Sequence, residues 1–113
     1  MTGGAAGLSA RRVGGRGEVP IRLADRVRPV PHVSAVEIEG ETVVYDCRTE
    51  QLHLLDPVAT IVWSHLDGTE PLAQLCEQLG EAFNEPVTRI RADVLALVGR
   101  LVSAGLVDRV EEP

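Results

Sequence analysis

The chain has 113 residues, 44% of them hydrophobic, and a formal charge of −6. That length suits one domain with its own core and not two, and with Trp63, Tyr45 and Phe83 as its only aromatics the core must be aliphatic. Six arginines against Glu18 and Asp25 leave residues 1–34 at +4, while five arginines against fifteen acids leave residues 35–113 at −10, which excludes the broad basic footprint of a duplex-DNA binder.

Residues 1–18 are rich in Gly, Ala and Arg and show no apolar period, so they are expected to be a disordered basic arm. Such an arm offers a phosphate contact or rests on the acidic domain; a solvated tail is the simpler reading. No hydrophobic signal core opens the chain, and no apolar run reaches the roughly 18 residues of a membrane span. Cys47 and Cys76 are far apart and neither belongs to a C-x-x-C pair. They read as free thiols, and the expected location is the cytoplasm.

Residues 19–33 alternate loosely but contain Pro20, Pro29 and Pro31. Proline cannot donate to a sheet ladder, so this stretch is an edge strand or an extended strap along the domain. From residue 34 the pattern is β. Val36 and Ile38 alternate with Glu37 and Glu39, Gly40-Glu41 is a tight turn, and Thr42 to Tyr45 form a second strand. Asp46 to Glu50 is a polar turn, and Gln51 to Leu55 is the third strand of a small antiparallel meander.

Helices follow. Asp56 caps the first, with Pro57 at its first position, and Val58, Ile61, Val62 and Leu66 share a face that Ala59 and Trp63 widen. Its β-branched residues make it a poor helix alone, so packing must hold it until Asp67-Gly68 ends it. Thr69 is the expected cap of the second helix, with Glu70 and Pro71 in its first turn. Leu72, Leu75, Leu79 and Phe83 give its face, and Gly80 interrupts it at a cost of ~1 kcal/mol against Ala. The third helix spans about residues 87–104, with Val87, Ile90, Val94, Leu97, Val98 and Leu101 on one broad stripe. Leu95 and Val102 lie to one side, in line with Arg91; that flank faces either an incoming peptide or the N-terminal strap. Gly105 stops the helix, and residues 109–113 read as a tail.

Catalytic constellations are missing from the pattern. His32, His53 and His65 are scattered, with no Ser, Cys or Asp at triad spacing. His53 alone reads as a strand residue, and the carboxylates of Asp46, Glu50 and Asp56 read as ordinary turn surface. No metal or cofactor is expected, and the chain reads as a binding module. For such a module the sheet edge is the useful asset. The third strand has no proline, and beside the third helix it would form a groove for an extended peptide added as a further strand.

The order of three strands and three helices, together with DCRTEQLHLLDPVATIVWSHLDG at residues 46–68, Leu72–Leu79 and DVLALVGRLVSAGLV at residues 93–107, resembles the PqqD-like family. These are the RiPP recognition elements, small winged-helix-like domains of ribosomal peptide modification. The family pattern is matched at Leu55, Trp63, Asp67-Gly68, Asp93-Val94 and Gly105-Leu106. It departs at His53, where an aromatic is usual, and at Asp56, where Asn is usual. On the family register His53 faces the same way as Leu55, and Leu52 and Leu54 face away from the helices.

The resemblance implies an α+β, winged-helix-like fold over about residues 34–108 and a non-enzymatic peptide chaperone. Its ligand would be the leader segment of a precursor peptide, added as a strand and presented to a modifying enzyme such as a radical-SAM enzyme or a leader protease. The contacts it implies are Gln51, Leu52, His53 and Leu54 on the strand and Arg91, Leu95, Val98 and Val102 on the third helix. The alternatives are a winged-helix nucleic-acid-binding regulator, for which that helix offers only Arg89, Arg91 and Arg100, and a plain protein–protein subunit.

Overall fold

The computed structural model describes residues 20–111, so the expected basic arm at residues 1–18 lies outside them. The fold is α+β. In chain order it has β1 (Val27–Pro29), β2 (Val33–Ile38), β3 (Glu41–Asp46), β4 (Gln51–Leu55), α1 (Pro57–Ser64), α2 (Leu72–Phe83), α3 (Val87–Ser103) and β5 (Val107–Arg109). Strands β2, β3 and β4 form the antiparallel meander in that order, and β1 pairs with β5 in a separate two-stranded ribbon.

Register follows from the turns. The β2–β3 loop is Glu39-Gly40, one residue earlier than the sequence suggests, and both residues have positive φ. That is the condition for a two-residue turn whose twist matches the strands it joins. At the second turn, Asp46 is buried and not the solvated carboxylate expected of a turn. Its Oδ1 accepts from the N–H groups of Arg48 and Thr49 at 2.9 and 3.3 Å. Burial pushes the Asp46 carboxyl up, but these bonds and the nearby His32 outweigh it and hold the pKa below the usual carboxylate range.

The register also decides what each face of the sheet carries. Val44 pairs with His53, and Thr42 with Leu55, so these four point inward with Asp46 and Gln51. Val44, Leu55 and Thr42 are buried there and His53 is half-buried. The other face carries Val36, Ile38, Val43, Tyr45, Leu52 and Leu54. Among the described residues no other element covers it: Val36 is 59% exposed, Leu52 69% and Leu54 68%.

Each helix is ended by identifiable chemistry. Asp56 caps α1 through Ala59 N–H at 2.8 Å, with Pro57 at the first position. Both α2 and α3 end in a Schellman pattern. Asn84 takes the left-handed conformation after α2, and Glu85 N–H returns to the Gly80 carbonyl. Gly105 does the same after α3, with Leu106 N–H on the Leu101 carbonyl and both leucines buried. Gly80 is explained by that close return: a Cβ there would sit 3.3 Å from the Glu85 carbonyl oxygen.

Thr69 does not cap α2. Its hydroxyl and N–H both donate to Asp67 Oδ1, and the helix starts at Leu72. These bonds hold the Asp67 carboxyl below its usual range. The strap supplies the cap instead, because the carbonyls of Asp25 and Leu23 accept from the N–H groups of Leu72 and Ala73, both at 2.9 Å. The strap is thus an integral part of the domain. Val27 and Val107 are buried at the ribbon, Val110 N–H donates to the Arg26 carbonyl, and Asp25 accepts from Arg109 Nε at 3.0 Å. Residues 109–110 are accordingly ribbon and not tail. Gly68 packs under the ribbon's exit with φ +82°, where a Cβ would lie 2.8 Å from Val110 Cγ2.

One core joins these parts. Val44 and Leu55 from the sheet meet Val62 of α1, Leu66 just after it, Leu72, Leu75, Cys76 and Leu79 of α2, and Ile90, Val94, Val98 and Leu101 of α3. Phe83, which follows the period of α2, is left 41% exposed at its end.

Candidate functional site

β4 is the last strand of the meander, and among the described residues only β3 pairs with it. Antiparallel ladders alternate their bonds along a central strand. The tight turn makes Ile38 and Glu41 a hydrogen-bonded pair, so Val43 and Tyr45 also bond toward β2, and Thr42, Val44 and Asp46 bond toward β4. Leu55, His53 and Gln51 therefore complete the β3 ladder. Leu52 and Leu54 turn their N–H and C=O groups to the open edge, with no proline there to block pairing.

The open edge faces a groove of about 480 Å³. On one side it is lined by Leu52 to Asp56 and on the other by Leu97, Arg100, Leu101 and Ala104 of α3, with Ala59 and Leu106 beneath. An edge of free backbone groups beside a helix wall is a receptor for an extended chain. The strand supplies hydrogen bonds that ask little of side-chain identity.

The structure brings Gln51, Leu52, His53 and Leu54 to this edge but not the expected helix partners. Val98 is wholly buried and offers no side chain to a ligand. Val102 lines clefts on the opposite flank, one with Val30, Pro31 and His32 and one with Ile21 and Arg28. Leu95 is half-buried against the core. Arg91 is half-buried near Cys76, whose thiol is pushed up by burial while the Arg91 charge partly offsets this. The strap thus takes the flank that the sequence left open between strap and peptide. The groove takes the other, with Leu97, Arg100, Leu101 and Ala104 in place of the expected set. Leu97 stands in the apolar stripe of the sequence, but Arg100 and Ala104 carry no signal that marks them beforehand.

Among the described residues, no group of three or more His, Cys, Asp or Glu gathers to hold a metal ion. No helix there is long and apolar enough to cross a membrane.

No curated protein is similar enough to the chain to count as a match. The solved structure of TbiB1 in complex with the TbiA(beta) leader peptide is similar to it at a TM-score of 0.68 and 16% sequence identity, over 75% of this chain and 99% of the other. At that identity the likeness shows the fold. The family model described as coenzyme PQQ synthesis protein D matches residues 41–107, from β3 through the three helices to β5. With more than half of its length matched in this way, the chain belongs to the PqqD family.

Proposed function

We propose that the protein recognises the leader segment of a ribosomally made precursor peptide by adding it as a strand to β4, and presents it to a modifying enzyme. The observation that carries this is the unpaired β4 edge beside the α3 groove. Membership of the PqqD family supports it, as does likeness to a protein solved with a leader peptide. Gln51 to Leu54 supply the strand side of the site, and Leu97, Arg100, Leu101 and Ala104 the helix side. The role is non-catalytic: the domain holds a chain extended while the partner does the chemistry. A radical-SAM enzyme or a leader protease is the class of partner, and the apolar outer face of the sheet is the surface open to it.

The test is a pair of proline variants, Leu52→Pro and Leu54→Pro, titrated with a synthetic precursor leader peptide that the unmutated chain binds. Each removes one N–H from the open edge and none from the β3 ladder. Binding is expected to weaken by at least tenfold in both, roughly 1.4 kcal/mol or more. Unchanged affinity in both, with the far-ultraviolet dichroism intact, would contradict the strand-addition mode.

A further inference from the structure

The groove beside β4 does not stop where β4 stops. Ile90, Asp93, Val94 and Leu97 follow one another at helical spacing along α3, and Arg100, Leu101 and Ala104 continue the same stripe. The second half of the stripe lines the β4 groove. The first half, with Val58, Leu79 and Phe83, lines a cleft of about 340 Å³ between α1, α2 and α3. Leu97 lines both, so groove and cleft adjoin along α3.

Two features of the cleft identify what fits it. Its rim is apolar and uncovered, with Val58 60% exposed and Phe83 41%. Glu85 and Asp93 also line it, and neither side chain has a hydrogen bond or ion pair among the described residues. The cleft therefore carries two carboxylates and, among the described residues, no basic side chain in its lining, whereas the β4 groove carries Arg100 together with Asp56, the cap of α1. From Ile90 to Leu97 the helix rises about 10 Å, the length of about three residues of extended chain.

We propose that the cleft takes an apolar side chain of the same bound peptide, carried about three residues beyond the part paired with β4, and that a basic neighbour of that side chain faces Glu85 and Asp93. This rests on the strand-addition reading, because continuity with the β4 groove is what selects the occupant. A second copy of the chain is disfavoured by charge, since the whole chain stands at −6 and its acidic part, residues 35–113, at −10. Recognition on these terms divides the ligand in two. The strand-paired part is read by backbone, and the part beyond Leu55 is read by an apolar residue with positive charge beside it.

The cleft is tested alone with two small probes, N-acetyl-Leu-Arg-amide and N-acetyl-Leu-Glu-amide, added to the nitrogen-15-labelled full chain. The first is expected to shift the amides of Val58, Phe83 and Leu97 and to bind at least threefold tighter than the second. Glu85→Lys with Asp93→Lys is expected to reverse the order. No shift at the cleft, or equal affinity for the two probes, would overturn the proposal. The synthetic leader peptide then separates this proposal from the strand reading through Val58→Asp. That acid sits in a helix first turn, where it is well tolerated, and outside the β4 groove. Binding is expected to fall about tenfold, the scale of one buried aliphatic side chain, with amide protection of β4 retained. Full affinity in Val58→Asp with β4 protected overturns the cleft and leaves strand addition standing. Failure of the unmutated chain to protect β4 overturns strand addition itself. Cleft shifts that appear with protein concentration alone would assign the cleft to a second copy. Cleft shifts caused by deleting residues 1–19 would assign it to the chain's own arm. Either result overturns the proposal.

Discussion

Two strands of this small domain, β1 and β4, each pair on one side only among the described residues, and they are treated in opposite ways. β1 lies in the ribbon with β5, Val27 and Val107 are buried beneath it, and its flanks are tied by Asp25 to Arg109 and by Val110 to Arg26. β4 is paired on one side only, and its two outward leucines are more than two-thirds exposed. A strand edge with free N–H and C=O groups invites another chain, and soluble domains usually cover or blunt it. This domain ties β1 down with a buried valine and with bonds beyond its ladder, and leaves β4 open beside an apolar groove. The contrast teaches that the exposure of β4 is not a general looseness of the fold, since another strand with a single partner is packed and clamped.

The comparison is broken most severely at the closed end. Leu106 is 1% exposed and makes the apolar contact of the Schellman turn that leads into β5. Leu106→Ala is expected to cost about 3 kcal/mol, within the range for buried Leu truncation, read as a lower midpoint in urea unfolding. A loss under 1 kcal/mol would mean that the ribbon is not anchored as described.

A smaller effect is expected from the clamp across the ribbon. Burial raises the Asp25 pKa, but the Arg22 N–H and the Arg109 guanidinium outweigh it and hold the carboxyl below its ordinary value. A depressed folded pKa stabilises the fold fully above the unfolded value near 3.9 and loses that contribution as pH falls through the folded value. Asp25→Asn is therefore expected to lower Tm at pH 7 and to make the fall in Tm below about pH 4 shallower than in the unmutated chain. Parallel Tm-against-pH curves would remove Asp25 from the clamp.

The smallest effect belongs to the open face. Leu54→Asp changes a side chain that is 68% exposed and has only its neighbours within the sheet beside it among the described residues, so stability is expected to move by no more than about 0.5 kcal/mol in urea unfolding. A loss of more than 1 kcal/mol would mean that the outer face is packed, and the contrast between the two edges would fail.

Much of this was legible in the sequence, and the places where it was not share a cause. The bounds Gln51–Leu55 follow from alternation and the Asp56-Pro57 stop, and the Asp56 cap and Gly105 stop are local chemistry. The pattern points to Thr69 as the cap of α2, whereas the partners of its first N–H groups, the carbonyls of Asp25 and Leu23, come from far along the chain. Which side of α3 lines the groove beside β4 is hidden for the same reason. A stripe on α3 wider than one surface shows that two neighbours exist; only the tertiary arrangement gives Val102 to the strap and Leu97 to the groove. His53 resolves in the other direction. Its pairing with Val44 puts it inward with Leu55, so Leu52 and Leu54 carry the open edge.

Amide hydrogen exchange of the full chain, with and without the synthetic leader peptide, tests the central claim most directly. The expected result is new protection at Leu52 and Leu54, whose N–H groups face the open edge, and little change at Gln51, His53 and Leu55, already bonded to β3. Protection at the ribbon or on the Val102 flank of α3, with Leu52 and Leu54 unchanged, would contradict it.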